Sequence, residues 1–463
     1  MPNALRSIFF KNASANIIGG ASAAIFNLLL PAIAVHNLTK LEFSVWTLIL
    51  QVIVYVQIFG FGLQTVITYF VARSNSTGDL NGLRDSVRAG LFLALYFTAA
   101  ALFVVIVLAA VYPFFFGNIP SELTSEFRVS IAILGFSAAF QILALVPAGV
   151  FFGLHKNIVP VLSQVLVRVF SLCCLWVSIT FQASLLVMSI CLAASGALLV
   201  PANFFAACRF ASGLFRHLGP RNNIITREMW DACSGLAVWN IAMLLVNGID
   251  VVLVGHFDFA NVAAFSLAAT AVTIFVGVLQ AMLNPLVAMG SSVYAKKGPR
   301  GLKILIVKAS TYCSVFLVSV LVIFNLIGAD LLKLWIGSTY LGEVHKVLWI
   351  LLLAQAVRNI MAPFAILLVS VGLQRKALVP AIVEGAVNLC ASLVLGANFG
   401  ALGVAYGTLI GAMAGVFASV QLVVARTNDI VESRKFFLRK IVAPPLICIT
   451  FLFLSRYINL WLS

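Results

Sequence analysis

Acidic residues are scarce, with only 14 aspartates and glutamates in 463 residues, against 29 lysines and arginines. Charge of either sign makes up 9% of the chain, where soluble domains carry about 25%. A chain so poor in charge and 62% hydrophobic cannot cover a water-facing surface, which excludes the soluble globular classes and implies an all-α polytopic membrane protein. The sequence contains no G-x-x-x-x-G-K-[ST] loop, so no nucleotide hydrolysis of that kind is expected. It contains no HExxH motif and no cluster of metal ligands, so neither a metal nor another cofactor is expected. The eight cysteines are scattered without a C-x-x-C pair and read as small buried hydrophobes. Long loops are missing too. A membrane glycosyltransferase or polysaccharide polymerase needs a sizeable extramembrane catalytic loop, and none is available here, so relocation of a molecule is expected in place of bond-making.

What is present is a succession of apolar runs. A spanning helix needs about 20 mostly apolar residues. Thirteen stretches qualify, at about 13–36, 43–71, 89–113, 128–152, 159–181, 184–208, 230–255, 262–293, 303–327, 346–372, 378–396, 401–425 and 441–460. The first has no small-residue cleavage site and reads as a retained helix. With a cytoplasmic N-terminus, 22 of the 29 basic residues fall in inside loops and five (Lys40, Arg128, Lys333, Lys346 and Arg456) outside. That asymmetry is the topology signal of an N-in protein. It also accounts for most of the +15 net charge, so no nucleic-acid partner is implied. The expected organisation is a six-helix lobe over 1–208, a basic cytoplasmic linker over 209–229, a second six-helix lobe over 230–425, and a basic segment with an accessory helix over 426–463. Pro444-Pro445 opens that last helix, which could span or lie at the interface.

One feature occurs twice. Gly153-Leu154-His155-Lys156 and Gly372-Leu373-Gln374-Arg375 each join two apolar runs as a tight basic elbow, 219 positions apart. Pro160 with Pro380, Asn27 with Asn247, and His36 with His256 share an offset of 220. A common offset points to duplication, with two halves built alike.

Ionisable residues deep in a span are costly and mark function by default. Arg168 and Arg358 lie about midway along their spans, too deep to reach the headgroups. Both are candidates to line a watery cavity and attract an anionic headgroup, because guanidinium binds phosphate in a fork and stays charged. The alternative for Arg358 is a structural ion pair with Asp250 or Glu384. Those two acids are candidates to take up a proton or sodium ion during transport, with interhelical hydrogen bonding as their ordinary use. Asn27, Asn247, Gln64, Gln280, Gln141 and Gln355 stand out among uncharged polar residues as candidates for a hydrated, sugar-facing lumen; interhelical bonding is the alternative for each. Glycines from Gly396 to Gly415 permit close helix contact.

The chain resembles the multidrug/oligosaccharidyl-lipid/polysaccharide exporter superfamily, and within it the bacterial O-antigen flippases of the Wzx type. The resemblance rests on Lys11-Asn12-Ala13-Ser14-Ala15-Asn16 before a Gly-containing first span, Phe59-Gly60-Phe61-Gly62-Leu63 closing the second, the two elbows and the six-plus-six arrangement. It implies a MATE-like pair of six-helix bundles around a cavity, and the bacterial inner membrane as location. It further implies transfer of an undecaprenyl-pyrophosphate-linked oligosaccharide to the periplasmic leaflet, with that lipid-linked oligosaccharide and membrane lipid as partners. A polysaccharide polymerase and a chain-length regulator are the implied protein partners. A drug/cation antiporter on the same fold is the alternative. Such antiporters need a membrane-embedded acid, commonly in the first lobe; here every acid before residue 220 falls in a loop or at a span edge, which favours an anionic cargo.

Overall fold

Apolar runs become helices because a bilayer offers no water to satisfy backbone N–H and C=O groups. The computed structural model describes residues 3–116, 119, 121–181, 184–215, 222–427 and 434–462, and those residues contain no strand. Arg216 and Arg221 of the expected linker, and residues 428–433 of the second basic segment, lie outside the described residues.

The chain divides into two compact units, Met1–Ile241 and Ala242–Ser463. The first holds α1 (Asn3–Val35), α2 (Lys40–Ile58), α3 (Leu63–Thr77), α4 (Leu80–Val111), α5 (Ser121–Gly153), α6 (Ile158–Thr180), α7 (Leu185–Ala197), α8 (Leu199–Phe210), α9 (Ser212–Phe215) and most of α10 (Asn223–Asn247). The second holds α11 (Asp250–Phe257), α12 (Val262–Leu283), α13 (Pro285–Ile336), α14 (Leu341–Asn359), α15 (Ala362–Ser370), α16 (Gln374–Ala418), α17 (Arg434–Phe437) and α18 (Ala443–Leu462). The division falls inside α10.

Ten helical stretches among the described residues are long and apolar enough to cross a bilayer. One of them, Leu378–Val423, contains two of the expected spans, folded back on each other. The expected spans at 230–255 and 441–460 are helical as α10–α11 and α18 but are not among the ten. Several expected spans are broken for local reasons. The second divides into α2 and α3, because Phe61 (φ 43°) and Gly62 (φ 68°) take left-handed conformations. Leu236 closes over this turn and leaves no room for a Cβ on Gly62. The tenth divides at Ile360–Met361, ahead of Pro363. Proline has no N–H to offer the Asn359 carbonyl, which instead accepts the Cys313 thiol of α13 at 3.5 Å. Thr39 starts α2 through a reciprocal capping box with Glu42.

In the first unit α5 is the central helix, touching α2, α3, α4, α7 and α8. Gly149 and Gly153, one turn apart, press its backbone onto α3 beside Ile67 and Val71. Both elbows are tight helix ends, but the glycines matched in the sequence do different work. Gly372 (φ 81°) is the left-handed residue of the second elbow, where Leu373 N–H reaches Leu368 O and Gly372 N–H reaches Val369 O. In the first elbow that pair of bonds runs from Lys156 to Phe151 and from His155 to Phe152, and His155 (φ 57°) is the left-handed residue. The two elbows therefore correspond two residues out of register with the Gly153–Gly372 match, since Gly153 is a contact glycine inside α5.

In the second unit α14 and α15 form the most buried of the ten stretches. Against α14 lies α16, which turns sharply at Gly400 (φ 58°, ψ −137°) into an antiparallel hairpin. Gly403, Gly407, Gly411 and Gly415 recur every fourth residue on the returning arm and meet Leu395, Ser392, Asn388 and Glu384 in turn on the outgoing arm. This contact brings the two backbones together with hardly a side chain between them. At Gly407 an added Cβ would lie 2.6 Å from the Ser392 Cα. Gly407→Ala should therefore lower the thermal unfolding midpoint of the detergent-purified protein, at a cost of about 1–3 kcal/mol. Gly277→Ala, on open ground in α12, should not lower it. Equal midpoints for the two variants would rule out the close hairpin.

Candidate functional site

The first unit holds a cavity of about 460 Å³ between α1, α2, α5, α6, α7 and the start of α8. Its polar lining is Gln57, Ser137, Gln141, Gln164, Arg168 and Ser171, against an apolar background that includes Phe26, Ile53 and Leu134. Arg168 is the one ionisable residue of that lining, and no carboxylate opposes it there. Its Nη1 donates to Ser22 Oγ at 2.7 Å and to the Gly19 carbonyl at 3.1 Å, tying α6 to α1. Gly19 permits this approach, since a Cβ there would lie 3.1 Å from Val161 of α6. The guanidinium thus sits half-buried at the wall of a chamber that mixes polar and apolar groups.

The neighbouring polar groups are held in place. Ser137 donates to the Ala193 carbonyl at 2.7 Å, and Gln141 Nε2 donates to Ser137 Oγ at 3.4 Å. Gly196 of α7 leaves the space that the Gln141 amide occupies, because a Cβ there would lie 2.6 Å from Nε2. Ser171 donates to Ser195 Oγ at 2.7 Å. The three glutamine amides and the serine hydroxyls offer both donors and acceptors, the chemistry that matches hydroxyl-rich ligands. Pockets of this size suit small molecules or one portion of a larger one.

The second unit carries the other deep charges, in a different arrangement. Arg358, near the end of α14, pairs through Nε with Glu384 Oε1 of α16. The ion pair with Glu384 is thus the observed arrangement. Gln355, one turn back from Asn359, accepts the Asn359 amide at both its carbonyl (2.8 Å) and its side chain (3.1 Å). Asp250 is buried at the first turn of α11. Its carboxylate accepts the Thr408 hydroxyl at 3.0 Å and lies 3.5 Å from the Asn388 amide. Ser392 donates to Asn388 Oδ1 (3.1 Å) and to the Val404 carbonyl (3.3 Å). The hairpin of α16 therefore presents a line of polar groups, Glu384, Asn388 and Ser392 at four-residue spacing, to the acid of α11 and the arginine of α14.

Of the residues singled out in the sequence, Arg168 and Gln141 meet in the first-unit cavity, joined by Gln57 and Gln164. Gln64 lies on α3, where its carbonyl accepts Thr68 and touches α5 at Gly149. Asn27, next to the cavity-lining Phe26, is exposed, as is Gln280 on α12. Asn247 ends α10, and its side chain lies outside the described residues. Sequence reasoning missed Ser22, Ser137 and Ser171, which carry no signal distinguishing them from other serines. It also missed the pairing of Gly407, Gly411 and Gly415 with Ser392, Asn388 and Glu384, although the matched four-residue spacings were there to be aligned.

No family model and no curated sequence matches the chain. Solved structures do. An inward-facing multidrug-resistance MATE transporter of the MOP superfamily aligns with a TM-score of 0.74 at 15% identity, covering 88% of this chain and 94% of its own. The lipid II flippase MurJ, in an inward closed conformation, aligns at 0.68 and 12% identity, covering 97% and 99%. A MOP superfamily transporter from Pyrococcus furiosus, described as having a binding pocket of reverse polarity, aligns at 0.64 and 16% identity, covering 91% and 95%. At these identities the likeness establishes the fold: a polytopic α-helical protein of the kind shared by MATE transporters and the MurJ flippase.

The Arg358–Glu384 pair makes a prediction about stability. Removing one member leaves an uncompensated buried charge, at a cost of about 3–5 kcal/mol, whereas replacing both with apolar residues is close to neutral. Arg358→Met should lower the unfolding midpoint sharply, and Arg358→Met with Glu384→Leu should recover most of the loss. Independent, additive effects of the two substitutions would show that the pair does not act as a unit.

Proposed function

We propose that the chain is a flippase of the bacterial inner membrane that moves an undecaprenyl-pyrophosphate-linked oligosaccharide, an O-antigen or similar polysaccharide repeat unit, from the cytoplasmic to the periplasmic leaflet by alternating access. The observation that carries this reading is Arg168. It is a mid-span guanidinium at the wall of a cavity whose other polar groups are amides and hydroxyls and whose lining holds no acid. A diphosphate ester entering that cavity meets a fixed positive charge in a low-dielectric setting, where charge-assisted hydrogen bonds are strongest. The contacts of Arg168 with Gly19 and Ser22 hold the guanidinium in place while leaving further donors on a five-donor group. Gln57, Gln141 and Gln164 are placed to bond sugar hydroxyls, and the polyprenyl tail stays in lipid.

In this reading Asp250 and Glu384 couple the movement to an ion. Asp250 faces the Thr408 hydroxyl and the Asn388 amide, with the Val404 carbonyl also accepting from Thr408 at 3.1 Å. The Asp250, Thr408 and Val404 oxygens would serve a proton or a hard monovalent cation, which is recognised by oxygen donors. Neutralising the carboxylate changes what holds α11 to the α16 hairpin, and neutralising Glu384 frees Arg358 from its pair. A drug/cation antiporter is the second reading. It is favoured by the likeness to MATE transporters and by the same Asp250 cluster, which such an antiporter would use for its driving cation.

Deletion of the gene should leave lipid-linked repeat units on the cytoplasmic side and reduce surface glycan; normal glycan with no retained intermediate would refute the flippase. Arg168→Ala should reduce glycan export at least about tenfold, the scale of one charge-assisted bond, and Arg168→Lys should restore it only in part. Protein level in the membrane must remain unchanged in both. Full export by the alanine variant, with a drug-resistance phenotype that depends on Asp250, would favour the antiporter.

A further inference from the structure

A second cavity, of about 280 Å³, lies in the second unit between α13 and the start of α18. We propose that it holds the phosphate of a resident anionic phospholipid from the cytoplasmic leaflet, separate from any transported cargo. Three observations point to a ligand. Lys440 lines the cavity, and no carboxylate does. Ser310, also in the lining, is 1% exposed, and its hydroxyl has no hydrogen-bond partner. A buried hydroxyl without a partner is costly, so a ligand oxygen beside it would be favoured.

The third observation is the backbone around Lys440. The segment Leu438–Val442 is wound as a π-turn and runs directly into Pro444-Pro445. The Lys440 carbonyl would find its helical donor at residue 444 or 445, and neither proline has an N–H. This opening of the backbone occurs at a cavity wall, where π-turns often mark binding positions. Lys440 therefore offers a cation for phosphate and a free carbonyl for a headgroup hydroxyl, with Ser310 as a further donor.

The setting selects a lipid over a free anion. Val315 and Val318 add apolar lining between Ser314 and Ser319, and the adjoining faces of α13 and α18 expose Tyr312, Val315, Ile447 and Phe451. An acyl chain can lie along that surface while the headgroup occupies the cavity. Lys435 and Arg439 precede Lys440 in the same segment, and Lys303 lies over the Phe436 ring, so the local charge is basic. Basic clusters at the cytoplasmic end of a span attract anionic lipids over zwitterionic ones.

The test is native mass spectrometry of the full chain in mild detergent with added phosphatidylglycerol or phosphatidylcholine. One phosphatidylglycerol per chain should be retained, and phosphatidylcholine should not. Lys440→Glu should reduce retention at least about tenfold and Ser310→Ala about fivefold, in keeping with one charge-assisted and one neutral hydrogen bond. Lys440→Arg should retain the lipid, and Lys11→Glu, a basic position far along the chain, should behave as wild type. Should the variants fold poorly, a photoactivatable phosphatidylglycerol on the wild-type protein should label peptides spanning 310–319 and 440–448. Labelling elsewhere, equal losses for Lys11→Glu and Lys440→Glu, or full displacement by millimolar inorganic phosphate would overturn the proposal.

Discussion

A charged or polar group inside a bilayer has to find its partner within the protein, because the lipid provides none. That constraint organises this chain more than hydrophobic burial does, since lipid tails are as apolar as leucine and reward helix association little. Helices here are held by close contact at glycine and by the few polar groups that the spans contain. The two mid-span arginines answer the constraint differently. Arg358 meets a carboxylate from the neighbouring helix. Arg168 meets a backbone carbonyl and a hydroxyl of α1, neither of which neutralises it, and its charge stands at the edge of a cavity.

The α16 hairpin shows how packing and polarity are joined. Its glycines let two arms approach until backbone nearly touches backbone. The outgoing arm then directs Glu384, Asn388 and Ser392 along a narrow line toward α11 and α14. Larger residues at Gly407 or Gly411 would separate the arms and dismantle the contacts of Asp250 at the same time. A polar network built on a glycine seam therefore depends on the close approach of the two arms and on the charge of its acids.

Close contact and local breaks also shape the first unit. Gly149 and Gly153 fix α3 on α5, and Gly196 makes room for the Gln141 amide. The same residue type thus closes one helix contact and opens one side of a chamber. The paired elbows illustrate that a sequence match need not mark the same structural position: His155 does in one what Gly372 does in the other, because either can take the left-handed conformation that ends a helix, at greater strain for histidine.

Composition alone determined that the chain is a helical membrane protein, since a 62% apolar sequence with 9% charge has no soluble alternative. Hydrophobic runs placed the helices closely, because each must cover a fixed thickness of lipid. Arg168, Arg358, Asp250 and Glu384 stood out against those runs as charges that needed a partner or a cavity. What the linear order left open was which of these groups meet. Arg358 and Glu384 are 26 residues apart, and Asp250 and Thr408 are 158 apart. The second pairing depends on how α16 folds back at Gly400, and both depend on which face of each helix turns inward. Periodicity is weak in helices apolar on every side, so only the folded chain could decide that Arg168 borders a cavity and that Arg358 is bound to an acid.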